Sequence, residues 1–203
     1  MRVTRLIPSL FPLAATAALF LGTAVPVRAA KPPAAKPAAP APAPVAPATT
    51  RRVDLIGPDG AVFPYSVEIP LDWQVLPDTE QKGLWLAPAG VEPKNDPRSV
   101  LVRSSTADLR EPETTVRAIQ ENDKKDDTWA APLVAVRPVG GTRGVLVQMN
   151  SGKGAAAHSL LILKLPVGKT SVDLMGAAPP ALFASLRPLY EKILFSVQPA
   201  GAK

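Results

Sequence analysis

Two short stretches of this 203-residue sequence are similar to the end of a phosphate-binding loop, in which glycine amides and a lysine hold phosphate groups. They are Gly152-Lys153 and Gly168-Lys169-Thr170. The motif also needs an earlier glycine, and Val147 and Leu163 occupy the positions where it would stand. Both stretches lie between predicted strands rather than before a helix. The sequence therefore predicts no phosphate site.

His158 is the only histidine, and its surroundings do not favour catalysis. A Ser-His-Asp triad or a histidine metal site would need an activated nucleophile or further ligands, and no Gly-x-Ser-x-Gly motif lies nearby. Cysteine is absent, which excludes thiol chemistry and a disulfide framework. We therefore predict that the protein is not an enzyme, has no catalytic residues and needs no cofactor. His158 is predicted to be an ordinary polar residue at the start of a strand.

Three aspartates, Asp123, Asp126 and Asp127, cluster where a predicted helix ends. Carboxylates grouped in this way can hold calcium. Their spacing lacks the alternation and the distal glutamate of an EF-hand loop, and Lys124 and Lys125 neutralise the region. The cluster is therefore predicted to be a solvated helix end, and no metal site is expected.

The three tryptophans are the remaining candidates for binding. Trp73 and Trp85 stand in strand patterns and are predicted to lie in the core. Trp129 follows a charged run and precedes Ala130-Ala131-Pro132, which predicts a loop position. An aromatic side chain in an exposed loop can anchor a partner. Trp129 is therefore the candidate partner-binding residue, the alternative being that it packs its loop onto the sheet.

Residues 1–30 have the plan of a secretory signal peptide. Arg2 and Arg5 precede an apolar run from Leu6 to Val25, and Val27-Arg28-Ala29 supplies small residues at a cleavage site. The alternative is an uncleaved membrane anchor, although prolines leave the run short for a span. Either way the protein is predicted to be periplasmic or extracellular.

Residues 31–50 are almost entirely alanine and proline, and are predicted to be a disordered linker before a globular domain at 51–203. The linker either spaces the domain from the envelope or simply leads into a secreted domain. Five of the 23 lysines and arginines precede residue 51, which leaves 18 basic side chains against 17 acidic ones in the remainder. The domain is nearly neutral, so nucleic acid is not expected as a partner.

If the stretch Ser159–Leu165 is extended, it has apolar side chains on both of its faces. This pattern predicts a central strand that is covered on both faces. Helical stretches are the expected cover. Short connections favour antiparallel pairing with the other predicted strands. Those strands are Val53–Ile56, Phe63–Ile69, Trp73–Leu76, Gly83–Ala87, Val100–Ser104, Leu133–Val139, Gly144–Asn150 and Thr170–Met175.

Two helices are predicted. Glu111-Pro112-Glu113 is typical of a helix start, and a narrow apolar face predicts a surface helix from Pro112 to about Lys125. Pro180–Phe195 has a wide apolar stripe at helical spacing and is predicted to be the main helix on the sheet, kinked or restarted at Pro188. The fold class is therefore α+β, an antiparallel sheet with helices on both faces.

Four segments together resemble the PsbP-like superfamily, which includes PsbP, DcrB and LpqN. They are Pro70-Leu71-Asp72-Trp73, Glu111-Pro112-Glu113, the hairpin Gly140-Gly141-Thr142-Arg143-Gly144 and the ending Lys192-Ile193-Leu194-Phe195-Ser196-Val197. The resemblance covers about residues 62–197. It implies an α/β/α sandwich and, usually, a non-enzymatic accessory or binding role.

The first hypothesis for function is an exported, non-catalytic accessory domain of the cell envelope that binds a protein partner. The alternative is a protein that binds a lipid or another small apolar ligand, in a pocket between the sheet and the C-terminal helix. A hydrolase that uses scattered carboxylates is the least favoured hypothesis, because no paired acids are evident.

Overall fold

The computed structural model describes residues 50–56, 62–123 and 129–201. The predicted signal peptide and residues 31–49 of the predicted linker lie outside the described residues. Within them the chain forms ten strands and two α-helices, with 3-10 turns at Pro93–Asn95 and Gly154–Ala156. The strands are β1 (Thr50–Ile56), β2 (Val62–Pro70), β3 (Trp73–Asp78), β4 (Gly83–Pro88), β5 (Val100–Ser105), β6 (Trp129–Val139), β7 (Thr142–Ser151), β8 (His158–Val167), β9 (Thr170–Ala178) and β10 (Gln198–Pro199). The helices are α1 (Pro112–Asp123) and α2 (Pro180–Phe195), and neither is long and apolar enough to cross a membrane.

The strands form two antiparallel sheets. The larger has seven strands in the order β3-β4-β5-β9-β8-β7-β6, and the smaller has three in the order β1-β2-β10. As predicted, the stretch that is apolar on both sides is an inner strand, because β8 pairs with β7 and β9. Leu161, Leu163 and Leu165 belong to one hydrophobic cluster, and Leu160 and Ile162 belong to another. The seven-stranded sheet is therefore apolar on both faces.

The main core lies between the seven-stranded sheet, the small sheet and α2. Alternate residues of β2, such as Tyr65 and Val67, are buried in this core. The Tyr65 hydroxyl donates to the Pro166 carbonyl oxygen at 2.6 Å, which ties the two sheets together. The small sheet thus covers this face together with α2, whereas the sequence predicted helical cover alone.

Helix α2 has the predicted bounds and is continuous across Pro188. Phe183, Tyr190, Ile193 and Leu194 are buried against the core. Because proline lacks an N–H, one helical hydrogen bond is lost at Pro188, yet the packing of the wide apolar stripe keeps the 16 residues in one helix. Of the two expectations for Pro188, the restart is therefore wrong, and the kink stays a prediction.

Helix α1 lies on the opposite face of the seven-stranded sheet. Val116 and Ile119 pack against a cluster that includes Val145, Val147 and Ile162. This agrees with the predicted surface position, since only Pro112 of the helix is classed as buried. Helices therefore cover parts of both faces, and the predicted α+β class is confirmed.

The hairpin between β6 and β7 turns at two glycines. Gly140 and Gly141 have φ values of 56° and 75°, a left-handed conformation that glycine adopts without steric cost. A side chain at Gly140 would also meet the Val197 carbonyl oxygen at 2.6 Å. The glycines therefore fix the predicted turn and allow the segment after α2 to pass closely beside it.

Candidate functional site

A row of apolar residues crosses the face of the seven-stranded sheet that carries α1. Trp85 of β4 pairs with Leu101 of β5, which pairs with Met175 of β9. Met175 in turn pairs with Ile162 of β8, and Ile162 pairs with Val147 of β7. Helix α1 packs over the Ile162–Val147 end of the row. The Trp85–Leu101–Met175 end instead lines an open cavity.

This cavity, here called the sheet groove, has a volume of about 510 Å³. Its lining combines apolar residues with a few polar ones, as is usual for ligand sites. It is lined by Trp85, Pro93, Lys94, Asn95, Asp96, Pro97, Ser99, Leu101, His158, Met175, Ala177, Pro179 and Leu182.

The pocket predicted between the sheet and α2 is not where the cavity lies. Buried side chains of α2, among them Phe183 and Tyr190, pack into the main core there. The groove is on the opposite face of the sheet, and α2 contributes only Leu182 of its first turn to the lining. The groove therefore differs in position from the predicted pocket, which stays a prediction.

One wall of the groove is the segment 93–99, which local hydrogen bonds hold in shape. The Asp96 carboxylate accepts hydrogen bonds from Arg98 N and Nε, both at 2.9 Å, and forms an ion pair with Arg98 Nη2 at 2.5 Å. The Arg98 guanidinium lowers the pKa of Asp96 below its usual value. Ser99 N donates to the Asp96 carbonyl oxygen at 3.0 Å. Asp96 and Arg98 of this segment therefore pair with each other, and Lys94 pairs with Glu80 outside it.

A buried tyrosine from the main core supports this wall. The Tyr190 hydroxyl donates to the Pro97 carbonyl oxygen and also lies 3.1 Å from the Ala177 carbonyl oxygen. Its ring lies directly against Gly176, where a Cβ atom would approach Tyr190 Cδ1 to 2.4 Å. Burial raises the pKa of Tyr190 well above its ordinary value, so the hydroxyl stays protonated and remains a donor. Because Gly176 has no side chain, Tyr190 of α2 can reach and support this wall of the groove.

Trp85 forms the opposite wall. Its indole Nε1 donates to Asp78 Oδ2 at 3.0 Å, which fixes the ring between the groove and a neighbouring cavity of about 300 Å³. Trp73 is buried in the main core as predicted, but Trp85 is only partly buried and belongs to neither hydrophobic cluster. The prediction that Trp85 is a core residue is therefore wrong, because no helix covers its end of the row.

Ser99 is the polar residue in the groove that sequence reasoning missed. It is 4% exposed, and its Oγ has no hydrogen-bond partner among the described residues. Most buried hydroxyl groups in proteins are hydrogen-bonded, so Ser99 is an exception, and its Oγ has almost no surface exposed to the groove. Nothing in the sequence around Ser99 could have revealed it, because the pairing state of a hydroxyl depends on distant residues.

The other polar residues that the sequence singles out lie at the start of a strand, in turns between strands and at the end of α1. His158 is the first residue of β8, as predicted, is exposed and lines the groove, with Nδ1 2.9 Å from the Ala156 carbonyl oxygen. Gly152-Lys153 and Gly168-Lys169 lie between strands, as expected. Asp123 Oδ1 accepts a hydrogen bond from Ala131 N at 2.7 Å, whereas Asp126 and Asp127 lie outside the described residues.

Trp129, the candidate partner-binding residue, is the first residue of β6 rather than part of a loop. Its backbone pairs with Ser151 across the hairpin. The surroundings of its side chain are not described, and the charged run before it lies outside the described residues. Its role in binding therefore stays a prediction.

The hydrolase hypothesis needs carboxylates that converge in a cleft, and three of them, Asp78, Glu80 and Glu92, line the smaller cavity beside Trp85. Asp78 accepts the hydrogen bond from Trp85, and Glu80 forms an ion pair with Lys94. In the described ranges, no three histidine, cysteine, aspartate or glutamate side chains come close enough to hold a metal ion. The backbone hydrogen bond of Glu113 at the start of α1, and next its ion pair with Arg143 of β7, lower the pKa of this carboxyl. The groove is larger than the cavity beside Trp85 and its lining is more apolar, so it is the stronger candidate for a functional site.

No protein-family model matches the sequence, and no curated protein matches it either. Solved structures do match the fold. The chain is similar to the cyanobacterial PsbP (CyanoP) of Synechocystis sp. PCC 6803, with a TM-score of 0.50 and 10% identity over 76% of this chain and 95% of that one. The PsbP-like fold inferred from the sequence is thus confirmed.

Two further solved structures share less of the geometry. LpqN of Mycobacterium tuberculosis, described as involved in cell envelope biogenesis, has a TM-score of 0.47 and 11% identity, covering 73% of this chain and 90% of that one. A protein of Pseudomonas aeruginosa described as a putative regulator has a TM-score of 0.39 and 13% identity, covering 70% and 91%. At these identities the likeness concerns the fold alone.

Proposed function

We propose that the protein is an exported, non-catalytic binding protein of the cell envelope, and that its sheet groove holds a small apolar ligand. The observation that carries the proposal is the groove itself. Its volume of about 510 Å³ is within the range of ligand sites, and its floor is built from Leu101, Met175 and Ala177.

The proposed location rests on the sequence before the domain. Residues 1–30 have the charge, the apolar run and the small residues of an export signal, and residues 31–50 have the composition of a spacer. A binding role fits the sequence better than catalysis, because its single histidine has no catalytic companions and cysteine is absent. PsbP-like domains, which this chain resembles in fold, serve mostly as accessory or binding modules.

A protein partner is the second candidate, and exposed apolar side chains favour it. Leu182 is 44% exposed on the rim of the groove and extends its apolar surface. Large apolar side chains on a surface are typical of interaction sites when they form a patch. Trp129 remains a candidate contact for such a partner.

The first test is to purify the full chain from the envelope of its native host and to analyse an organic extract by mass spectrometry. Ala177→Trp places a large ring in the groove, and Ala130→Trp is the matched control on an exposed position of β6. We expect an apolar molecule to accompany the wild type and Ala130→Trp, and to be lost from Ala177→Trp. Equal recovery from all three would contradict binding in the groove.

The second candidate has its own test. A photo-crosslinking amino acid at position 182, on the groove rim, is compared with one at position 71, which is 56% exposed in the turn between β2 and β3. One protein captured in living cells from position 182 alone would support a partner at the groove. Capture from both positions, or from neither, would argue against it.

A further inference from the structure

Strand β6 forms one edge of the seven-stranded sheet, and among the described strands it pairs only with β7. The turn between them has two residues, so the flanking pair Val139 and Thr142 shares both of its backbone hydrogen bonds. Directly bonded pairs then alternate along the hairpin, and the backbone groups of Val134, Val136 and Pro138 point away from β7. A sheet edge of this kind is a template for another strand.

Two exposed prolines limit the length of this edge. Pro132 and Pro138 lie at the two ends of the segment, and neither has an N–H group to donate to a new strand. Proline on an edge strand prevents uncontrolled pairing along its whole length. Only a short strand can therefore pair with β6, and it would do so along Leu133–Arg137.

The sequence of this segment is nearly the same in both directions. Residues 132–138 are PLVAVRP, with Ala135 at the centre, a valine on each side of it and a proline at each end. When a strand pairs antiparallel with a copy of itself about its central residue, each residue lies opposite the mirrored position. Valine then lies opposite valine, alanine opposite alanine and proline opposite proline. A twofold interface between identical subunits requires a self-complementary surface, and this segment has one.

The backbone and the side chains both suit this pairing. Val134 would exchange two backbone hydrogen bonds with Val136 of the second copy, and the mirrored pair would exchange two more. Cross-strand pairs of β-branched side chains stabilise a sheet. Ala135 lies at the closer, non-hydrogen-bonded type of pair, where small side chains fit best. Leu133 would lie opposite Arg137, whose aliphatic stem can cover it.

We infer that β6 is an interaction surface for a second copy of this chain, and that two copies join through Leu133–Arg137 into one continuous antiparallel sheet. Leu133 packs against the main core and Val134 against the cluster beneath α1, so the joined sheet would extend both apolar layers. None of the residues 133–137 lines the groove, so the inference goes beyond the proposed function and does not depend on it.

The absence of cysteine gives a direct test of the register, because a single introduced cysteine can form a disulfide only with another molecule. Ala135→Cys places two thiols opposite each other on the twofold axis, within the Cα distance that a disulfide needs. Arg137→Cys is the matched control, since it is more exposed and on the same face of the strand. It would lie four residues, or ~13 Å, from its counterpart, which is too far for a disulfide.

The purified full chain of each variant is oxidised gently and run on a non-reducing gel. We expect a covalent dimer to be the main product of Ala135→Cys and a minor product of Arg137→Cys. Random collisions would favour the more exposed thiol, so equal or greater cross-linking of Arg137→Cys would overturn the inference. The absence of a dimer in Ala135→Cys would overturn it as well.

Charged residues at the same position test the pairing without a covalent bond. Ala135→Glu and Ala135→Lys each place two like charges opposite each other, so each alone should dimerise at least ~10-fold more weakly than the wild type in analytical ultracentrifugation. An equal mixture of the two should form a heterodimer. A monomeric wild type, or a mixture no more dimeric than its components, would overturn the inference. Recovery of an apolar molecule should not change in either variant, so a failed dimer leaves the proposed function standing.

Discussion

The two faces of the seven-stranded sheet are built from the same strands, yet one is sealed and the other is partly open. On the sealed face, Leu161, Leu163 and Leu165 of β8 have no exposed surface. On the open face, α1 covers the end of the apolar row near Val147, and the groove occupies the end near Trp85. The helices and the small sheet that pack on a face, and not the pattern of its strands, therefore decide whether an apolar face becomes core or binding surface.

The two faces are covered to different extents because the two helices differ in length and in the number of apolar side chains that they bury. Helix α2 has 16 residues with four buried apolar or aromatic side chains, and the small sheet adds a second layer beside it. Helix α1 has 12 residues, and its apolar contacts with the sheet come from Val116 and Ile119. The open face also carries the buried polar residues Asp173 and Ser171, whereas the core face of β9 carries Val172 and Leu174.

The largest difference between the faces should come from equal truncations on one strand. Leu163→Ala removes a fully buried side chain from the sealed core, so we expect a loss of about 4 kcal/mol in the free energy of unfolding. Leu160→Ala removes a partly buried side chain from the other face and should cost roughly 1 kcal/mol. Urea unfolding of both variants measures the contrast. Equal losses would show that the faces are packed alike.

A buried ion pair marks the open face. Lys164 Nζ lies 2.6 Å from Asp173 Oδ2, and both side chains are largely buried. Asp173→Ala leaves the lysine without its partner and should cost about 3 kcal/mol in the free energy of unfolding. The double variant Lys164→Met/Asp173→Leu removes both charges and should be close to the wild type in urea unfolding. A double variant as unstable as the single one would mean that this face needs the pair.

Gly176 links the two faces, since it allows Tyr190 to reach from the core to the groove wall. Gly176→Ala places a Cβ about 2.4 Å from the Tyr190 ring, so the ring must shift. We expect a loss of about 2 kcal/mol in the free energy of unfolding, the usual size for overpacking. Adding Tyr190→Leu should recover part of this loss, because the clash disappears. Additive effects of the two changes in urea unfolding would contradict direct contact.

Tyr190→Phe should have the smallest effect and a distinctive pH dependence. Losing the hydroxyl that bonds to Pro97 should cost about 1 kcal/mol at neutral pH. Burial raises the pKa of Tyr190, so above about pH 10 the unfolded chain releases this proton while the folded chain keeps it. Wild-type stability should therefore fall as pH rises beyond that value. The fall should be shallower in Tyr190→Phe, and Tyr65, whose pKa is also raised by burial, should retain part of it.

Unfolding by urea between pH 8 and pH 11 measures these slopes. Tyr65→Phe is the comparison, because its hydroxyl joins the two sheets rather than supporting the groove wall. Recovery of an apolar molecule with the purified protein should fall in Tyr190→Phe and stay unchanged in Tyr65→Phe. Identical slopes in Tyr190→Phe and the wild type would contradict the buried, protonated state of this hydroxyl.

Much of the fold could be predicted from local patterns. The alternation in Phe63–Ile69, the two-sided apolar pattern of Ser159–Leu165 and the stripe of Pro180–Phe195 each correspond to an element of the structure. Period-two and helical spacings are local properties, so a single sequence contains them. The extent of β6 was underestimated, because its first residues, including Trp129, look like a loop and acquire strand geometry by pairing with β7.

The candidate site could not be predicted in the same way. Trp85 has the sequence pattern of a core residue and becomes a groove wall because α1 lies over the other end of the row. The unpartnered state of Ser99 depends on where the segment 93–99 is held, and that position depends on Tyr190, far along the chain. These features arise from contacts between residues distant in sequence.

The sequence by itself determined the strand and helix types, the nearly neutral domain, the absence of thiol chemistry and the glycines at the β6–β7 turn. It did so because periodicity, charge and backbone preference are properties of residues and their near neighbours. Only the tertiary structure decided that a second sheet shares the core with α2, and that the opposite face keeps a groove beside a buried hydroxyl without a partner among the described residues. Those outcomes depend on which surfaces meet, and a buried group finds or lacks a partner only when they do.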